Sequence, residues 1–237
     1  MEYPVSNTDF NKLLQTREQM IGLDSSSSDV LIAWPFVPFI GSSILKGTPG
    51  VYFIGIATRG SWSRSRDLAK GRKISCDHVR NANSSTFWRY LRALSKAVFG
   101  QPFPQCIEKI AWSNQFKIGV RNGNPSGTYA KVQQDISRSI LEQELQLASR
   151  CAIVFLGDVD VKNPVLPKYF DREDDWDVEK YRRHGVWIKN NANGALVLYQ
   201  YHPRAFPSSG INFDEQVATN AQAIRQHLAK PRPAVHA

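Results

Sequence analysis

The sequence predicts an α/β domain in layers, and two observations predict it. Three apolar runs, Val51–Ile56, Cys151–Leu156 and Ala195–Tyr199, are short and continuous, turn residues bound the first of them at Pro49-Gly50 and Gly60, and Ile107–Trp112 is a further strand candidate. Unbroken apolar runs of that length suit strands covered on both faces, as in a parallel sheet. The second observation is the rhythm: amphipathic helical patterns fall between the runs, so that strand and helix alternate.

The elements follow in order. Thr8 is placed to cap a first helix over residues 8–22, with Phe10, Leu13, Leu14 and Ile21 on one face. Asp24 to Ser28 reads as a flexible connection. Val30–Trp34 is β-prone until Pro35, Pro38 and Gly41 interrupt it. Val51–Ile56 is the first strong strand, followed by a polar, basic stretch from Arg59 to about Ser85 that reads as a loop. Phe87, Leu91, Leu94 and Val98 then recur at helical spacing, and Gly100 with Pro102 ends that helix. Ile107–Trp112 is the second strand, with Ser113-Asn114 at its end, and residues 119–127 form a loop around Asn122-Gly123-Asn124-Pro125. Val132, Ile136, Ile140 and Leu147 mark a long helix before the Cys151–Leu156 strand. Residues 159–185, acidic at Asp171–Asp175, read as a surface excursion. Val186–Ile188 is an edge strand or a hairpin partner, and the last strand delivers Tyr201-His202-Pro203. A closing helix carries Val217, Ala221, Ile224 and Leu228, and Pro231 and Pro233 mark residues 231–237 as a flexible tail.

Composition narrows the function. The 237 residues are 42% hydrophobic and 22% charged, which suits one globular domain over 1–237 with a sizeable core. No apolar run approaches the roughly 18 residues of a membrane span. The first residues lack the basic start and apolar stretch of a secretory signal, so the expectation is a cytoplasmic monomer. Three isolated cysteines, Cys76, Cys106 and Cys151, rule out a disulfide framework and any Cys-x-x-Cys zinc or iron–sulfur site within the chain. Against 21 acidic residues stand 30 Lys and Arg, a net charge of +9, which favours a polyanionic partner.

In parallel α/β sheets ligands collect outside the carboxyl ends of the strands. The residues there are Ala57-Thr58-Arg59, Ser113-Asn114, Gly157-Asp158 and His202-Pro203. Asn114 carries an acceptor and two donors in fixed geometry, suited to the edge of an amide-like ring. Pro203 restricts the backbone of His202 and helps to aim its imidazole. The competing reading makes Asn114 a turn cap and His202 an ordinary loop residue.

The ordered set Gly55-Ile56-Ala57-Thr58-Arg59-Gly60, Phe87-Trp88, Asn114-Gln115-Phe116-Lys117, Phe155-Leu156-Gly157 and His202-Pro203 resembles the uracil-DNA glycosylase superfamily. The likeness spans residues 50 to 205. It implies a three-layer α/β/α fold around a mostly parallel, four-stranded sheet, no cofactor and no metal, and hydrolysis of an N-glycosidic bond in double-stranded DNA. The target nucleotide is flipped into a pocket. Asn114 would hold the base edge, Lys117 would lie at the DNA, and His202 would stabilise the charge that builds on the departing base.

The departures from that pattern matter equally. Ala57 stands where the family carries its water-activating Asp or Asn, and Thr58 replaces the usual Pro. A carboxylate from elsewhere would have to act: Asp77, read as lying in the loop before the Phe-Trp helix, or Asp158, at the end of the third strand. For the ring that stacks on the base, the sequence offers Trp62 and His78, with Phe87 and Trp88 read as helix start and core. Six basic residues lie between Arg59 and Lys73, among them Arg64 and Arg66, and would contact phosphates unless they are merely a solvated loop. Arg204 or Phe206 would wedge into the gap left by the flipped base.

Asn114 pairs with uracil or, rotated, with cytosine. The altered first motif and the loops rich in Gly and Ser point towards a bulkier pyrimidine, such as a glucosylated hydroxymethylcytosine of phage DNA, and hence towards defence more than repair. Two other readings compete. One is a non-catalytic DNA-binding module that senses a modified base, favoured by Ala57. The other is a metal-dependent nuclease built on Asp158 and the acidic stretch Asp171 to Asp177.

Overall fold

A computed structural model of the chain describes residues 3–23, 32–57, 65–81, 85–121, 123–148, 151–157, 186–190 (backbone only) and 196–230. Its centre is a mostly parallel sheet. Strands β1 (Phe39–Ile40), β2 (Val51–Gly55), β3 (Ile110–Asn114), β4 (Ala152–Leu156), β5 (Val186–Asn190) and β6 (Leu196–Gln200) lie in the order β1-β3-β2-β4-β6-β5. The four inner strands are mutually parallel, and β1 and β5 close the two edges antiparallel. The edge-strand reading of Val186–Ile188 holds. The strand β1 was missed, because the Pro-broken segment before it gives no period and only two residues pair.

Every residue of β2, β3, β4 and β6 is buried, which explains the unbroken apolar runs. Side chains alternate between the faces. Val51 and Phe53 point into a core shared with helices α4 (Thr86–Phe99) and α7 (Phe213–Leu228), whereas Tyr52 and Ile54 meet α6 (Gly127–Leu147) on the other face. Each such large side chain contributes about 1.5–3 kcal/mol on burial. Helix α1 (Asn7–Gly22) packs against α6 with Phe10, Leu13 and Met20 buried. Its cap is Ser6, not Thr8: Ser6 Oγ accepts from the Asp9 N–H, and the Asp9 carboxylate returns to Ser6 as a capping box.

One whole element corrects the sequence reading. The basic stretch contains a helix, α3 (Leu68–Arg80), started by Asp67, whose Oδ1 accepts from the Lys70 N–H at 2.7 Å. Its buried face is Leu68, Gly71, Ser75 and Val79, too small and polar to register as an apolar stripe. Lys70, Arg72 and Lys73 therefore belong to a helix and not to a loop. Arg72 is committed to the fold, donating to the Val5 carbonyl at 2.9 Å with its guanidinium 4.0 Å from the centre of the Tyr3 ring. Among the described residues the short helices α2 (Ser42–Leu45) and α5 (Phe103–Cys106) complete the set of α-helices. Helix α4 ends at Gly100, whose φ of +66° is the left-handed cap that glycine adopts without steric cost.

A buried polar junction ties β6 to two helices. Asn220 of α7 donates from Nδ2 to Gln200 Oε1 at 2.6 Å and to the Tyr90 hydroxyl at 2.7 Å, and Tyr90 of α4 donates to the same Gln200 oxygen at 2.9 Å. Burial pushes the Tyr90 phenol well above its usual range, so it stays a donor. Among the described residues no helix is long and apolar enough to cross a membrane.

Candidate active site

The chain passes from β2 outwards to β3 and then back across β2 to β4, so the connections diverge at the β2/β4 boundary. Crevices open outside the carboxyl ends of strands at such reversals. Around this one stand the ends of β2, β3, β4 and β6, and two of the sequence-selected side chains meet there with a third that was not selected.

Asn114 is the last residue of β3 and pairs in register with Gly55, the last of β2. It is only 3% exposed. Its side-chain oxygen lies over Gly55, where a Cβ would come within 2.6 Å of Oδ1, so the missing side chain is what admits the amide. The turn after it is strapped to β2, because the Gln115 N–H donates to the Gly55 carbonyl at 2.9 Å and the Phe116 N–H to that of Ile56 at 2.8 Å. Asn114 Nδ2 is buried and has no hydrogen-bond partner among the described residues. An unmet buried donor costs about 1–3 kcal/mol, and a ligand acceptor would relieve that cost.

His202 leaves β6 with φ −55° and ψ 133°, the extended geometry expected before Pro203. Its Nδ1 accepts from the Arg204 backbone N–H at 3.1 Å. In a neutral imidazole that bond leaves the proton on Nε2, which makes the far edge of the ring a donor. The ring stacks on Phe87, with centroids 5.9 Å apart and planes at 22°. Phe87 opens α4 and also reaches the other strand end, since its Cε2 lies 3.8 Å from the Cβ position of Gly55. One ring thus spans from Asn114's neighbour to His202.

Phe87 is the residue that the sequence reading missed. Its spacing to Leu91, Leu94 and Val98 assigned it to the core, yet it is only half-buried and faces the strand ends, while Trp88 takes the core position. The available signal was its place in the first turn of a helix that begins on the carboxyl side of the sheet. His78 sits behind it, stacked on Trp112 at 5.6 Å and edge-on to Trp88 at 5.3 Å. Partial burial in that aromatic wall lowers the imidazole pKa.

Three candidate residues are corrected. Lys117 is fully buried and reaches no phosphate; its Nζ donates to Asn114 O at 2.6 Å, to Ser113 Oγ at 2.7 Å and to Glu144 Oε2 at 3.0 Å. Desolvation lowers its pKa and the Glu144 carboxylate opposes that shift. Asp77 lies on α3 and not in a loop, where it pairs with Lys73 Nζ at 2.9 Å on the helix surface. Phe206 is 1% exposed and packs edge-on to Tyr90 at 5.5 Å, so it forms no wedge. Arg204, by contrast, is exposed beside His202. Arg66 is exposed at the start of α3, its guanidinium 5.4 Å from the centre of the Trp34 ring, which Arg17 also covers at 4.1 Å. Thr58, Arg59, Trp62, Arg64 and Asp158 lie outside the described residues, as do the acidic excursion and the residue 231–237 tail.

Among the described residues no three His, Cys, Asp or Glu side chains converge as a metal site. A separate cavity of about 470 Å³, lined by Tyr3, Val5 and Arg72 among others, contains none of the residues at the strand ends. In comparisons with known proteins, no family model matches the chain and no curated protein matches it.

Proposed function

We propose that the chain is a DNA glycosylase that flips a pyrimidine-type base out of duplex DNA and hydrolyses its N-glycosidic bond, leaving an abasic site. The observation that carries this reading is the juxtaposition, at the carboxyl end of the sheet, of Asn114 with its buried Nδ2 lacking a partner among the described residues, the half-buried ring of Phe87, and His202, whose Nδ1 is taken up by its own turn. A four-stranded parallel centre covered by helices on both faces fits the uracil-DNA glycosylase-like, three-layer arrangement that the ordered motifs imply.

In this reading Asn114 Nδ2 donates to an acceptor on the base edge and Phe87 flanks the base. As the bond from sugar to base stretches, the sugar gains oxocarbenium character and the electron pair moves onto the base. The Nε2–H of His202 is aimed where that negative charge gathers, at no cost of reorganisation. Water adds at the sugar carbon, and its proton goes to a carboxylate. Ala57 cannot serve, which leaves Asp158 or Asp77 to be tested in that role. Arg204 enters the gap in the stack, and Arg59, Arg64 and Arg66 grip phosphates. The base is uracil or a hypermodified cytosine.

Ala57 also supports a second reading, a module that senses a flipped base without cutting it. One assay decides between them. The protein is incubated in EDTA with duplexes carrying uracil, hypoxanthine or modified cytosines and with glucosylated phage DNA, then treated with alkali. Breaks that need alkali establish base excision. Tight binding without abasic sites on any substrate leaves the sensor, and breaks that need metal but no alkali point to a nuclease.

A further inference from the structure

The ion pair of Lys117 and Glu144 has the wrong setting for an ordinary stabilising contact. Both side chains are wholly buried, with Nζ 2.8 Å from Glu144 Oε1 and 3.0 Å from Oε2. Isolating two charges from water costs several kcal/mol per ion, and apolar residues of the same size frequently serve stability equally well. What such residues cannot reproduce is the rest of the coordination. The same ammonium donates to the main-chain oxygen of Asn114 and to the hydroxyl of Ser113, the last two residues of β3. Glu144 comes from α6, on one face of the sheet, and reaches Lys117 across 27 positions of sequence.

We infer that Lys117 and Glu144 are positioning residues for Asn114: the buried pair clamps the carboxyl end of β3 so that the Asn114 amide is held against Gly55 with its nitrogen presented to a ligand. The clamp works from below the strand end while the Gln115 and Phe116 amides strap it sideways to β2. Ser113, between them, is wholly buried, and its Oγ accepts the third hydrogen bond from the ammonium. A lysine is suited to this role because its three donors diverge from one point and can bind a carboxylate, a hydroxyl and a carbonyl together. The inference rests on the glycosylase reading only for its consequence on activity; the effect on Asn114 is independent of it.

The test uses the full chain with the double substitution Lys117→Met and Glu144→Leu, which removes both charges and retains volume, beside Glu144→Gln and Asn114→Ala. Thermal unfolding reports the fold, and the ¹⁵N-resolved side-chain amide of Asn114 reports its environment by chemical shift and solvent exchange. Excision is measured on the duplex that the unsubstituted protein cuts in the EDTA assay. The expected result is a double variant that folds, with the Asn114 amide protons exchanging faster and kcat/KM lowered roughly 10- to 100-fold towards the Asn114→Ala value. A folded double variant with an unchanged Asn114 amide overturns the inference. Should the double variant not fold, Glu144→Gln decides by the same amide: displaced supports positioning, unchanged refutes it. If the unsubstituted protein cuts no duplex, the glycosylase reading fails, while the amide measurement still decides whether the pair positions Asn114.

Discussion

Asn114 and Gly55 are partners across the carboxyl ends of β3 and β2, and the amide oxygen of the first rests where the second lacks a side chain. A methyl group there would come within 2.6 Å of Oδ1. Gly55→Ala is expected to displace the amide and destabilise the protein by about 1–3 kcal/mol, as overpacking of a filled site does. Thermal unfolding and excision assays check this together: the melting temperature falls moderately, and excision falls as far as in Asn114→Ala.

His202 is half-exposed, and its Nδ1 accepts from the backbone of its own turn. His202→Ala should therefore leave the melting temperature nearly unchanged while lowering excision by about 10²–10³-fold, the usual cost of losing one donor aimed at developing charge. Single-turnover kinetics separates that loss from weaker DNA binding.

Phe87 touches both halves of the site from the rim of the core, half-buried against Trp88 and Trp112. Phe87→Ala should weaken retention of a flipped base by about 1–3 kcal/mol, the scale of a single base–aromatic stack. Phe87→Tyr should restore it. Fluorescence of 2-aminopurine next to the target nucleotide reads the flipped population directly, and equal signals from all three proteins would remove Phe87 from the site.

Arg66 is exposed, on the flank of the basic segment. Arg66→Ala should weaken DNA binding uniformly across sequences and reduce the slope of log K against log salt by about 0.9, one phosphate contact. Titrations at several salt concentrations give the slope, and an unaltered value would assign Arg66 to its Trp34 contact alone.

His78 has its pKa lowered by burial against Trp112 and Trp88. The unfolded chain then binds a proton more readily than the fold does, so this residue's contribution is complete above an unfolded pKa of about 6.5 and is lost as pH falls below it. Unfolding measured from pH 7.5 downward should show that loss, and His78→Phe should flatten it.

The parallel centre was legible because β2 and β4 are unbroken apolar runs and β6 is one up to Gln200, and burial on both faces demands that pattern. Asn114 and His202 were legible by position, as polar side chains directly beyond such runs. Phe87 was not, because helical spacing reports which residues share a face and not whether the first of them meets core or crevice. Helix α3 escaped because its buried face is built around Gly71 and Ser75. The burial of Lys117 was hidden for a longer-range reason: a lysine beyond a strand end looks solvent-bound until Glu144, on a helix that follows it, is folded over it.

The junction of Tyr90, Gln200 and Asn220 has an evolutionary corollary. Tyr90 lies three residues beyond Phe87 and Gln200 two before His202, so one shared hydrogen-bond node sets the spacing of ring and imidazole from behind. Loss of any member strands the others as unmet polar groups in an apolar core. Substitutions at these three positions should thus be inherited as a set across related chains, and a lineage that has exchanged the set for apolar residues has also released the constraint that holds its site together.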